Sequence, residues 1–121
     1  MSVARCSIRV LIVEDEPATA LLLENMLTEL GFGHVEIAYD LFDARDAVGS
    51  VSPDVAILAM NIGEDQIFRL AEKLRAHNVP VLFSTAQAAS DLPPKWSSGL
   101  PVPKPLDKRM LNAALCSLGF G

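Results

Sequence analysis

The chain has 121 residues, half of them hydrophobic and 21% charged, with a formal net charge of −5. That balance excludes a disordered chain and supplies enough apolar material for one domain with both sheet faces covered. The acidic surface argues against nucleic acid or an anionic membrane as a partner of this domain.

In chain order, Ile8 to Val13 is apolar except for Arg9 and predicts a buried parallel strand. Pro17 suits the first turn of a helix. Leu22, Leu23, Met26, Leu27 and Leu30 follow at helical spacing, with Gly31 and Gly33 as the stop. Val35 to Tyr39 predicts a second strand, and Leu41, Ala44, Ala47 and Val48 a second helix ending at Gly49. Asp54 to Leu58 predicts a third strand. Ile67, Leu70, Ala71 and Leu74 predict a third helix, stopped by Asn78 ahead of Pro80. Val81 to Ser84 predicts a fourth strand. The stretch from Ala86 to Pro103 is disturbed by Pro93, Pro94, Pro101 and Pro103. An interior proline costs a helix about 3 kcal/mol, so a fourth helix there should be short or disordered and the segment mobile. Leu111, Ala114, Leu115 and Leu118 predict a last helix, entered through Asp107.

Strands alternating with helices imply an α/β fold with right-handed crossovers and helices on both faces of a parallel sheet. Five strands in this alternation fit the flavodoxin-like order 2-1-3-4-5, whose ligand site lies at the switch point between the first and third strands. Glu14, Asp15, Ala59 and Asn61 belong there. No apolar run approaches ~18 residues and no basic-then-apolar leader opens the chain. Cys6 and Cys116 have no metal-type spacing and read as reduced thiols, so a cytoplasmic protein is expected. Residues 1–121 read as a single domain with no output domain.

Four of the strand ends carry a chemically notable residue. Glu14-Asp15-Glu16 follows the first, Ala59 the third, Thr85 the fourth, and Lys104-Pro105 the segment Val102-Pro103. An acidic pair, a hydroxyl and a lysine in this order resemble the receiver domain of bacterial two-component response regulators, from Ile8 to Leu118. Phe83-Ser84-Thr85-Ala86-Gln87 further resembles a worn form of the Phe-Ala-Thr-Gly-Tyr stretch of a standalone receiver subgroup. The resemblance implies a Mg²⁺ held by Glu14, Asp15 and the carbonyl of Asn61, a phosphoryl-binding hydroxyl at Thr85, and charge neutralisation by Lys104. It also implies that position 59 is the phosphoacceptor, an aspartate in the family and an alanine here. A methyl group neither attacks phosphorus nor ligates a metal. Where receivers carry a switch aromatic three residues before the lysine, this chain has Pro101. That second loss favours natural degeneration over a deliberate substitution at Ala59.

The bland readings stand beside these. Glu14-Asp15-Glu16 also suits the cap of a first helix. Thr85 also suits a turn hydroxyl, and Lys104 also suits an ion pair with Asp15. His34 and His77 read as solvated. Trp96, the one tryptophan, is either packed under a loop or an anchor for a partner. The expected function is that of a pseudo-receiver, not an enzyme, with Glu14, Asp15, Thr85 and Lys104 as vestigial site residues. It would need no cofactor, bind Mg²⁺ weakly at most, and act by contacting a histidine kinase, a phosphotransfer protein or another regulator. The alternatives are residual Mg²⁺-dependent phosphoryl acceptance at Asp15, or small-ligand binding at the switch point. The absence of a Gly-rich phosphate loop after the first strand counts against nucleotides.

Overall fold

The computed structural model describes residues 4–85, 102–103 and 107–120. Strand β1 (Arg9–Val13) lies between β2 (His34–Ala38) and β3 (Val55–Ala59), and β4 (Val81–Thr85) follows on the far side of β3. All pairings are parallel, with Val13 opposite both Ala38 and Leu58, and Ala59 opposite Ser84. These four strands, in order 2-1-3-4, make up the body of the sheet. The full fifth strand expected from the alternation is reduced to β5 (Val102–Pro103), which pairs Val102 with Ser84 and Pro103 with Thr85.

Helices α1 (Pro17–Glu29) and α4 (Lys108–Ser117) cover one face, and α2 (Leu41–Val51) and α3 (Glu64–Ala76) the other. The period-2 geometry of a strand sorts the core. Val10, Ile12, Ile57 and Leu82 meet Leu23 and Leu27 of α1 and Leu111, Ala114 and Leu115 of α4. Leu11, Val13, Leu58 and Phe83 meet Ala44 and Ala47 of α2 and Ile67, Leu70 and Leu74 of α3. Burying each of the leucines contributes roughly 1.5–3 kcal/mol.

Local signals set several of the helix ends. Pro17 opens α1, and Gly31, at φ 100, turns the chain after it. Asn78 takes φ 61 beyond α3, a left-handed conformation that asparagine tolerates well. The Asp107 carboxylate accepts the backbone N–H of Arg109 at 2.7 Å to start α4. Some element boundaries differ from expectation. Helix α2 does not end at Gly49 but runs on to Val51, and the reversal falls on Ser52 at φ 53. The second strand begins at His34, and the third extends through Ala59. The short or disordered fourth helix expected within Ala86 to Pro103, and the mobility expected there, lie outside the described residues apart from β5.

Candidate functional site

The carboxyl ends of β1, β3 and β4 bring together the residues singled out in the sequence. Glu14 immediately follows β1, and its N–H donates to the Ala38 carbonyl of β2 at 3.0 Å. The strand has therefore not quite ended there. Glu14 is fully buried, at 0% exposure, and its Oε1 accepts the N–H of Glu16 at 3.1 Å. Asp15 is exposed. Ala59 closes β3 and is buried. The chain then turns through one 3₁₀ turn, Met60–Ile62, and Gly63 at φ 151, a conformation that glycine alone adopts easily, before α3 begins.

Strand parity places Glu14, Ala59 and Ser84 in one row on the α1/α4 side of the sheet. Glu14 continues the Val10–Ile12 series and Ala59 the Val55–Ile57 series, while Ser84 follows Leu82. Ser84 is 1% exposed, and its Oγ is the one buried side-chain oxygen or nitrogen among the described residues with no hydrogen-bond partner. The row across three strands is thus a buried carboxylate, a methyl group and an unpartnered hydroxyl. Sequence reasoning missed Ser84. Nothing in its identity marks it; only the register that sets it opposite Ala59 does.

The helix-cap reading of the acidic run is realised only in part. Glu16 occupies the N-cap position of α1 but makes no side-chain bond to the helix backbone; its Oε1 accepts from Thr19 Oγ at 2.6 Å. The carboxylate that does accept a backbone N–H is Glu14.

Thr85 ends β4, and Asn61 lies in the 3₁₀ turn after Ala59. Lys104, Trp96 and the expected Lys104–Asp15 ion pair lie outside the described residues. His34 opens β2 and His77 caps α3, where its Nδ1 lies 2.8 Å from the Lys73 carbonyl; both are exposed, as expected.

Mg²⁺ demands near-octahedral oxygen ligation and is usually held by carboxylates and waters. Among the described residues no group of three or more histidine, cysteine, aspartate or glutamate side chains is placed to hold a metal. Glu14 and Asp15 sit at one strand end, and the neighbouring strand end offers a methyl. Among the described residues no helix is long and apolar enough to cross a membrane.

Comparison with known proteins agrees with this layout. A family model for the response regulator receiver domain matches residues 10–115. The transcriptional activator protein IrlR of Burkholderia pseudomallei is 38% identical over 80 residues, which is 65% of this chain and 34% of IrlR. The chain thus spans about a third of the length of the curated relatives it matches. Among solved structures, the BeF3-activated conformation of SdrG from Pseudomonas melonis Fr1 superposes with a TM-score of 0.79 at 29% identity, covering 98% of each chain. The response regulator PhyR from Brucella abortus gives a TM-score of 0.75 at 28% identity, covering 98% of this chain and 49% of that one. With a parallel α/β sheet, acidic residues at the end of β1, and a family match across nearly its whole length, the chain belongs to the response regulator receiver domains of two-component signalling.

Proposed function

We propose that this chain is an atypical receiver that works by protein binding, without phosphorylation at position 59. The observation that carries the reading is Ala59. It ends β3 at the switch point, buried, in the place where the family resemblance puts the phosphoacceptor aspartate. Phosphoryl transfer in such a site relies on positioning and charge neutralisation around a nucleophile, and alanine supplies no nucleophile. The incomplete carboxylate set around it agrees with this reading. In this reading Glu14, Asp15, Thr85 and Lys104 are remnants of the site, Trp96 is a candidate contact, and the domain performs no catalysis. It works in the cytoplasm on a protein partner, such as a histidine kinase, a phosphotransfer protein or another regulator. A net charge of −5 makes nucleic acid a poor partner.

The test is incubation with acetyl phosphate and Mg²⁺, or with a phosphorylated histidine kinase, followed by intact-mass measurement. The expected result is an unchanged mass. A gain of one phosphoryl group in a base-labile linkage would instead place acceptance on another carboxylate, with Asp15 the nearest candidate.

A further inference from the structure

We propose that the groove between β2 and α2 is a docking site for an arginine-bearing basic segment of a partner protein. The groove has a volume of about 180 Å³ and is lined by Glu36, Ile37 and Ala38 of β2 and by Asp43, Asp46, Ala47 and Ser50 of α2. Three carboxylates therefore face one concavity, and no basic side chain lines it. Among the described residues none of the three makes an ion pair. Phe42 of α2, one helical turn before Asp46, is 80% exposed, far more than any other large hydrophobic side chain described. Strand β2 is outermost in the sheet, and among the described residues no strand pairs with its outer edge.

The combination is specific in its chemistry. An exposed phenylalanine alone is an ordinary surface feature, and carboxylates alone attract any cation. A guanidinium uses both at once. Its planar fork donates to two carboxylates, and its face stacks on an aromatic ring. An ammonium group is a compact, strongly hydrated charge and gains less from either contact. The groove takes a side chain of this size, and the free edge of β2 can receive the backbone of an extended segment. Charge complementarity thus commits the occupant to a basic segment and favours arginine over lysine. The site lies on a different surface from the Glu14–Ala59–Ser84 row. It deepens the proposed function and rests on the reading that the domain acts by binding a protein.

The test is a titration of the isotope-labelled full chain with a synthetic arginine-containing peptide and with its lysine counterpart of equal length and charge. Expected are amide shifts concentrated between residues 34 and 51, with tighter binding of the arginine peptide. Phe42→Ala should weaken that binding roughly three- to tenfold, and Asp46→Asn should weaken it as well. Phe42 and Asp46 are both exposed, so neither change removes core packing. Shifts scattered over the acidic surface, equal affinities for the two peptides, indifference to both substitutions, or no binding would each overturn the proposal. Phosphoryl uptake by a protein that still binds the arginine peptide through this groove would sink the proposed function and leave the docking site standing.

Discussion

The two ends of the sheet treat their polar groups in opposite ways. At the amino-terminal end the polar groups of Arg5, Arg9 and Asp54 are paired. The Arg5 guanidinium donates to the Phe120 carbonyl at 2.9 Å, the Leu30 carbonyl at 2.8 Å and Asn112 Oδ1 at 2.8 Å, and it lies 5.0 Å over the Phe32 ring. It thereby satisfies carbonyls just beyond the ends of α1 and α4, where helix dipoles favour a cation. Nearby, Arg9 and Asp54 exchange two bonds: the Arg9 N–H donates to the Asp54 carboxylate, and the Asp54 N–H to the Arg9 carbonyl, each at 2.8 Å. At the carboxyl-terminal end a buried carboxylate, a methyl and an unpartnered hydroxyl share one row. Closed networks fix a fold, whereas a buried hydroxyl with no partner, such as that of Ser84, is a cost left standing. The difference locates satisfied polar contacts at one end and the unsatisfied Ser84 hydroxyl at the other.

The largest effect should come from breaking the closed end. Arg5→Ala removes the donor shared by three backbone or side-chain oxygens and uncovers the Phe32 ring. A loss of roughly 2–4 kcal/mol in chemical denaturation is expected, because bonds from a charged donor are individually strong and their acceptors are left part-buried. Arg5→Lys should recover little, since an ammonium lacks the fork that reaches separate carbonyls. A change below about 0.5 kcal/mol would show that water replaces the guanidinium freely.

A second test at the same end concerns Gly33. A Cβ built there would stand 2.7 Å from the Cys6 carbonyl oxygen, which is backbone and cannot swing aside. Gly33→Ala should therefore destabilise by about 1–3 kcal/mol through the shift it forces. Thermal unfolding would measure this, and an unchanged midpoint would mean that the segment around Cys6 yields at no cost.

At the open end, Ala59→Asp should change the response to metal more than the stability itself. A third carboxylate would join Glu14 and Asp15, strengthening Mg²⁺ binding through charge and ligand number. Without metal the added charge repels its neighbours, so the variant should melt below the parent and gain more from millimolar Mg²⁺. Equal metal-induced shifts in parent and variant would show that the strand ends no longer have the spacing of a metal site.

Much of this architecture was legible in the sequence because it depends on local or periodic signals. The apolar run into Val13, the proline that opens α1, and the Asp107 cap all act within a few residues. The misses depended on distant partners. Gly49 looked like a stop, but α2 continues because Ala44, Ala47 and Val48 hold its face against the core, and Ser52 makes the reversal instead. Gly33 looked like a helix terminator, yet its tighter constraint is clearance for Cys6, which lies far off in sequence. Arg5 reaches residues more than a hundred positions away, at Asn112 and Phe120, which no local pattern announces. At the candidate site, residue types gave Glu14, Asp15 and Ala59, but only the strand register could add Ser84.

The smallest expected effect is the most diagnostic of how the two ends differ. In the parent, Ser84→Ala removes a buried hydroxyl that has no partner and replaces it with a shape of similar size. Such a change should stabilise by about 1 kcal/mol, since an unmade hydrogen bond is a cost that a methyl does not carry. In the Ala59→Asp background the same substitution should act in reverse. Ser84 lies directly across from position 59 on the adjacent strand, on the same side of the sheet, with cross-strand Cβ atoms about 5 Å apart. The introduced carboxylate would give the hydroxyl an acceptor, and removing it would then cost about 1 kcal/mol. A double-mutant cycle by chemical denaturation should therefore return a coupling of about 2 kcal/mol between positions 59 and 84. Ser84→Ala effects of the same sign and size in both backgrounds would mean that the hydroxyl does not address position 59, and the row across β1, β3 and β4 would lose its standing as one site.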